Sequence, residues 1–201
     1  MRCNAPLLEL HHFQPLSAFE KLLKRGFLTG DGRRIFPYMK PYYQWMVQQM
    51  DKRLGARPAG AGSYPMWAWQ LWNGKARPDL RYHGHITPGT AGVLLKLEVP
   101  AHLVLLSDFT GWHIPLLNGY HSLSEKEDEE WERISPNMTA NERQAAMEKS
   151  WENIFDLTRQ RDTAWDGVLD SIQAVFWRLD LDMVQSVRHF TARKISPRWP
   201  R

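Results

Sequence analysis

Three of the chain's ten tryptophans lie within nine residues, in the run Tyr-Pro-Met-Trp-Ala-Trp-Gln-Leu-Trp at 64–72. An indole is a large apolar surface with one N–H group that needs a hydrogen-bond partner when it is buried. Such a run either anchors a core strand or forms an aromatic wall for a planar ligand. In an extended strand, Trp67 and Trp69 share one face, while Gln70 and Trp72 share the other. The sequence therefore predicts that the run contributes both to a core and to one edge of a site.

The length and composition of the chain predict a single domain over residues 1–201. With 201 residues, of which 43% are hydrophobic and 24% charged, a chain of this size buries roughly 70% of its unfolded surface. No apolar run approaches the ~20 residues of a membrane span. The N-terminus has no secretory signal, so we expect a cytoplasmic protein that does not contact a membrane. The single cysteine, Cys3, excludes an intrachain disulfide.

Hydrophobic periodicity and helix boundary signals predict an α+β fold, with a mixed or antiparallel sheet and packed helices. A capping box, Ser17 with Glu20, is expected to open the first helix, and Gly26 to end it. Further helices are predicted at about 40–54 and 140–157, the latter within a helical insertion at about 124–157. Strands are predicted at 7–13, 92–99, 103–106, 172–179 and 187–191, with a helical turn at 180–184 and a basic tail at 193–201.

The net charge of +4 suggests nucleic-acid binding, because clustered Lys and Arg side chains neutralise phosphates. Here the basic residues are scattered along the chain and no nucleic-acid motif organises them. A solvated basic surface is the competing interpretation. The acidic block at 125–132 is typical of a solvated helix or loop, and it also offers a surface to a protein partner.

The segment Ser-Asp-Phe-Thr-Gly-Trp-His at 107–113 follows a predicted strand with groups suited to catalysis. Asp108 could orient His113, which would then act as a general base or bind a ribose hydroxyl. In the alternative interpretation, Asp108 only caps the turn, and Trp112 and His113 pack beneath it. Asp108 and His113 are our candidate catalytic residues.

Two further groups of residues suggest binding chemistry. Arg77 and Arg81 flank Pro78-Asp79 next to the aromatic run, where an arginine fork would suit a phosphate, although surface arginines usually pair with nearby carboxylates. His83 and His85 would share one face of an extended segment. No accompanying carboxylate spacing supports a metal site there, so we expect no metal.

Several longer motifs together resemble a bacterial family known only as a domain of unknown function. They are Gln14 with Ala-Phe-Glu at 18–20 and Gly26, Tyr-Pro-Met-Trp-Ala-Trp at 64–69, Arg-Pro-Asp-Leu-Arg at 77–81, Leu-Leu-Ser-Asp-Phe-Thr-Gly-Trp-His at 105–113, Ser-Trp-Glu-Asn-Ile-Phe-Asp-Leu at 150–157 and Ile-Gln-Ala-Val-Phe-Trp at 172–177. The likeness covers nearly the full length of the chain. The family name implies no activity.

The order of strands and helices is also similar, more distantly, to that of NAD-dependent ADP-ribosyltransferases and RNA 2′-phosphotransferases. This resemblance implies NAD as a ligand, with His12 at a ribose and Arg81 at a phosphate. It further implies ligand contacts for the aromatic residues Tyr64, Trp67 and Trp112 and for Gln173. The glutamate that stabilises the oxocarbenium-like ribose should lie at position 175, which holds a valine. Ordinary transfer would then need Asp108 or Glu98 as a substitute.

Three hypotheses follow from these residues. The first is a nucleotide- or NAD-binding protein, an ADP-ribosyltransferase-like enzyme or its inactive derivative, with the ligand between the aromatic run and the Asp108–His113 turn. The second is a non-catalytic interaction protein, such as an inhibitor encoded by a phage or another mobile element, that binds a bacterial protein complex. The third is a nucleic-acid-binding protein.

Overall fold

An antiparallel sheet of six strands runs through the molecule. The structure is a computed structural model that describes residues 6–80 and 85–193. Its strands are β1 (Leu7–Pro15), β2 (Phe27–Thr29), β3 (Met66–Leu71), β4 (Ala91–Pro100), β5 (Leu105–Asp108), β6 (Ile172–Phe176), β7 (Arg178–Asp180) and β8 (Val184–Thr191). The main sheet has the order β5-β6-β3-β1-β4-β8, and β2 pairs with β7 in a small second sheet. The predicted α+β class and the antiparallel form of the sheet are confirmed.

The helices are α1 (Leu16–Arg25), α2 (Lys40–Leu54), α3 (Phe109–Leu116), α4 (Glu125–Ile134) and α5 (Ala140–Trp151). Two of them, α4 and α5, lie within the segment predicted to be helical, and a 3₁₀ turn at Glu152–Phe155 replaces the last predicted residues of the second. A capping box between Thr139 and Glu142 opens α5. None of the helices in the described ranges is both long and apolar enough to cross a membrane.

The start of α1 differs from the prediction, whereas its end agrees. β1 runs directly into the helix through Pro15, so Ser17 lies inside the first turn and makes no cap, and the predicted capping box with Glu20 is wrong. Proline is suited to this junction because its fixed φ matches the observed −56° and it has no N–H group to leave unpaired. At the other end Gly26 adopts a φ of +78°, a left-handed conformation that glycine reaches without steric cost.

A short 3₁₀ turn at Ala101–Leu103 displaces the following strand from the position predicted for it. β5 therefore begins at Leu105 rather than at Leu103 and extends to Asp108. The predicted turn before the last strand is present as a 3₁₀ turn at Leu181–Met183. Cys3 and most of the predicted basic tail lie outside the described residues.

Two apolar cores cover the two faces of the sheet, and the alternation of strand residues explains both. On β6, Ala174 and Phe176 belong to the core under α1, while Val175 belongs to the core under α2, α3 and α5. The second core holds Trp45, Trp112 and Trp151, of which Trp151 is 1% exposed. The sheet is therefore the central layer between helices on both faces, and side chains at its open edges can reach solvent.

The aromatic run forms β3 and contributes to the second core, but its alternation breaks at one position. Trp67 pairs with Val175 and Trp69 with Gln173, so both indoles point to the same face, as predicted. The register then shifts by one residue between Trp69 and Leu71, which is a β-bulge. Because of this extra residue Trp72 turns back toward Trp69, with ring centroids 4.3 Å apart. The predicted placement of Trp72 on the opposite face is wrong.

Candidate functional site

A cleft of about 900 Å³ opens where β1 and β3 separate. β1 pairs with β4 along its whole length, from Leu7 to Pro15, but with β3 only where His11 lies opposite Trp69. Residues of α1, of the start of α2 and of the segment 27–35 line this gap, and we call 27–35 the mouth segment because its two arginines are exposed. We call this space the β1–β3 cleft. Its volume lies near the upper end of the roughly 300–1,000 Å³ that is usual for small-molecule sites.

Polar side chains at the floor of the cleft replace the missing backbone pairing between the two strands. The Nδ1 atom of His12 lies 2.5 Å from the carbonyl oxygen of Trp67, and its Nε2 atom contacts the side-chain amide nitrogen of Gln14 at 2.5 Å. Burial lowers the pKa of His12 to about 4, so the imidazole is neutral near pH 7. Deeper in the floor, the buried Gln173 donates a hydrogen bond from Nε2 to Ser107 Oγ at 3.0 Å.

Aromatic rings form the walls of the β1–β3 cleft. Phe13 stacks on His85 with centroids 3.8 Å apart and ring planes 9° apart. Trp67 and Trp69 are partly exposed and line the cleft together with Tyr64. Such rings are suited to contact a planar base through their faces.

The mouth segment, residues 27–35, packs against Tyr64. Gly30 forms an isolated antiparallel bridge with Tyr64, which ties this segment to the start of β3. A Cβ atom at Gly32 would lie 2.3 Å from the Tyr64 ring, so only glycine allows the backbone to pass this close. The contact fixes the backbone just before Arg33 and Arg34, which also line the cleft.

Of the described residues that line the cleft, five are cations, which we place at its mouth because they are exposed: Lys21, Arg25, Arg33, Arg34 and Lys40. All five are exposed, and three elements contribute them, namely α1, the mouth segment and the first turn of α2. Among the described lining residues Asp31 is the one carboxylate, and it accepts two hydrogen bonds of 2.9 Å from the Arg33 side chain. These bonds lower the pKa of Asp31 to about 2, so the pair is ionised near pH 7. The mouth therefore keeps an excess of positive charge suited to a phosphorylated ligand.

Four of the predicted site residues line the cleft: His12, Tyr64, Trp67 and Gln173. Trp112 lies behind this wall, 3% exposed, with its ring centroid 5.5 Å from that of Trp67. It therefore supports the wall from the core side. Arg81, predicted to hold a phosphate, lies outside the described residues, as does His83.

Asp108 and His113 do not line the cleft. Each of them makes its hydrogen bonds with other residues, and the two side chains do not bond to one another. Asp108 caps α3 by accepting from the Thr110 N–H group at 2.9 Å. His113 lies exposed on α3, where its Nδ1 atom is 3.0 Å from the Phe109 carbonyl oxygen. The catalytic roles of Asp108 and His113 stay predictions, whereas the capping role considered for Asp108 is present.

A buried ionic network, which the sequence analysis missed, holds Asp108. Its Oδ2 atom accepts from Arg161 Nη2 at 2.8 Å, and Arg161 also contacts Asp166, 3.3 Å away. Asp166 in turn pairs with Arg159 and lies 3.8 Å from His121 Nε2. Side chains in this network are at most 9% exposed. The network attaches the loop before β6 to the start of α3.

Sequence reasoning also missed the mouth of the cleft. Lys21, Arg25 and Arg34 counted only as scattered charge, because their convergence depends on how α1 and the mouth segment meet β3. One local signal was available for the floor: in a strand, His12 and Gln14 share a face. In the described part of the chain no group of three or more His, Cys, Asp or Glu side chains is arranged to hold a metal ion.

The fold and the cleft define an α+β protein whose central antiparallel sheet is split by a ligand-sized, positively charged space. A family model described as "Domain of unknown function (DUF3841)" matches residues 10–185. The chain therefore belongs to this family, which confirms the predicted membership in a family of domains without an assigned function. No curated protein and no solved structure matches the chain.

Proposed function

We propose that the β1–β3 cleft binds an NAD-type dinucleotide. The observation that carries this proposal is the position of the five exposed cations at the mouth of a cleft whose walls are aromatic. A pyrophosphate needs cationic hydrogen-bond donors, and the planar base attached to it needs an apolar face, so one dinucleotide would use both parts of the cleft. The volume of about 900 Å³ leaves room for a ligand larger than a single nucleoside.

The proposal concerns binding and does not include ADP-ribosyl transfer. Position 175, where the resemblance to ADP-ribosyltransferases places the catalytic glutamate, is a fully buried valine in the core below α2. A valine cannot stabilise a positively charged ribose. Release of nicotinamide from NAD would therefore require a carboxylate at another position.

Isothermal titration calorimetry with NAD tests the proposal on variants of one helix. Lys21 and Arg25 are exposed, lie one turn apart on α1 and face the cleft, whereas the exposed Lys24 on the same helix does not line it. We expect Lys21→Ala/Arg25→Ala to raise the Kd for NAD at least about tenfold, because a hydrogen bond to a charged group contributes roughly 1.5–3 kcal/mol. Lys24→Ala should leave the Kd within about twofold, and alanine preserves the helix in both variants.

Three results would contradict the proposal. The first is an absence of heat and of thermal stabilisation when NAD is added to the wild-type protein. The second is a strongly salt-dependent affinity for a single-stranded oligonucleotide combined with no response to NAD, which would favour the nucleic-acid hypothesis. Equal effects of the double variant and Lys24→Ala would place NAD outside the cleft.

A further inference from the structure

The hydrogen bonds of His12 determine which of its nitrogens carries the proton. The Trp67 carbonyl oxygen can only accept, so Nδ1 of His12 must donate to it. His12 is buried, and burial lowers its pKa to about 4, so a second proton on the ring is disfavoured. Nε2 is therefore an acceptor. The imidazole is held in the Nδ1–H tautomer with both nitrogens occupied by protein partners.

This tautomer in turn determines the orientation of the Gln14 amide. An unprotonated Nε2 on His12 needs a donor, and in Gln14 only the amide NH₂ group can donate. The opposite orientation would place the Gln14 carbonyl oxygen against the His12 lone pair. Gln14 therefore directs its nitrogen to His12 and leaves its carbonyl oxygen, Oε1, for another partner. In the described part of the chain no hydrogen bond engages that oxygen, and Gln14 is half-buried in the lining of the cleft.

We propose that Gln14 Oε1 is the acceptor that selects a hydrogen-bond donor on the ligand, and that His12 is the positioning residue that holds it. The inference rests on the proposed binding of an NAD-type dinucleotide. Such a ligand offers three kinds of donor: the ribose hydroxyls, the amino group of adenine and the N–H of the nicotinamide carboxamide. His12 itself does not meet the ribose as the resemblance implied, since neither of its nitrogens is free. It acts through Gln14, two residues further along the same face of β1.

The tautomer can be measured without any ligand, by long-range ¹H–¹⁵N correlation spectra of the imidazole nitrogens near pH 7. We expect His12 to show a protonated Nδ1 and an unprotonated Nε2. A protonated Nε2 on His12 would overturn the inference, because the Gln14 amide would then be turned the other way. This readout tests the orientation of the Gln14 amide directly, and it does not depend on whether NAD binds.

The contact with the ligand is tested with Gln14→Leu, which keeps the approximate size of the side chain and removes its polar atoms. We expect the Kd for NAD to rise about tenfold, because the donor of the bound ligand loses its partner. If ADP-ribose, which lacks nicotinamide, loses the same factor, the donor is a ribose hydroxyl or the amino group of adenine. If only NAD loses affinity, the donor is the carboxamide. The matched control is Gln185→Leu on β8, an exposed glutamine outside the cleft lining, with no expected change.

The two proposals fail in different ways. If the wild-type protein binds NAD and Gln14→Leu binds it equally well, with an unchanged melting temperature, only the Gln14 contact is overturned. If the wild-type protein does not bind NAD, the proposed function is overturned, and the proposed contact between Gln14 and the ligand is overturned as well.

Discussion

Replacement of Asp108 with alanine should lower the free energy of unfolding by about 3–5 kcal/mol, since removing one partner of a buried ion pair leaves an uncompensated charge. The side chains of Asp108 and Arg161 are 2% and 8% exposed, so water cannot take over the lost contact at Arg161. Asp166 remains beside Arg161, but it also neutralises Arg159. The loss of the cap on α3 adds to the effect. Urea denaturation followed by circular dichroism measures the difference.

The same measurement tests whether the ionic network around Asp108 contributes to stability. Asp182→Ala, at an exposed aspartate in the turn before β8, is the control and should stay within about 0.5 kcal/mol of the wild type. If Asp108→Ala also unfolds within about 1 kcal/mol of the wild type, the ionic network is not needed for stability.

Trp151→Ala should cost about 3–5 kcal/mol of stability, the range found for removing a large aromatic side chain from a core. Trp151 is 1% exposed and packs edge-on against Trp45, with ring centroids 5.4 Å apart. Its indole N–H also donates to the Gly119 carbonyl oxygen at 2.6 Å, so the substitution leaves an unpaired acceptor as well as a cavity. Thermal denaturation of purified variants tests this prediction.

Trp165→Ala is the matched control for the second prediction. Trp165 is 41% exposed in the loop before β6, so its replacement should change stability by about 0.5 kcal/mol or less. Similar melting temperatures for the two alanine variants would show that the second core does not depend on Trp151 as the structure indicates.

The local parts of the fold could be predicted because their signals lie within a few residues. The helix predicted at about 40–54 agrees with α2 at Lys40–Leu54, in which Trp45, Met46 and Met50 are buried and Gly55 is the C-cap. The alternation of apolar and polar residues predicted β4, and Gly26 predicted the end of α1. The failures were also local in cause: Pro15 removed the expected cap at Ser17, and an extra residue in β3 reversed Trp72.

The candidate site was only partly predictable, because its two main features join residues far apart in the chain. The gap between β1 and β3 follows from strand pairing, which no short motif encodes. Likewise, Asp108 and Arg161 lie 53 positions apart, and nothing near Asp108 in the sequence signals its partner. Tyr64 and Trp67 were found because they belong to a motif, and His12 because of the resemblance to ADP-ribosyltransferases. The cations of the mouth were not, because they converge only in three dimensions.

The proposal that NAD binds in the β1–β3 cleft is tested most directly by the position of bound NAD relative to the tryptophans. The ¹H–¹⁵N spectrum of the protein contains one indole N–H signal for each tryptophan, and single Trp→Phe variants assign them. On titration with NAD we expect the signals of Trp67 and Trp69 to shift and saturate together, because both residues line the β1–β3 cleft. The signals of Trp131 on α4 and Trp165 in the loop before β6 should not move. If the signals of Trp131 or Trp165 show saturable shifts while those of Trp67 and Trp69 stay unchanged, NAD does not bind in the β1–β3 cleft and the proposal is contradicted.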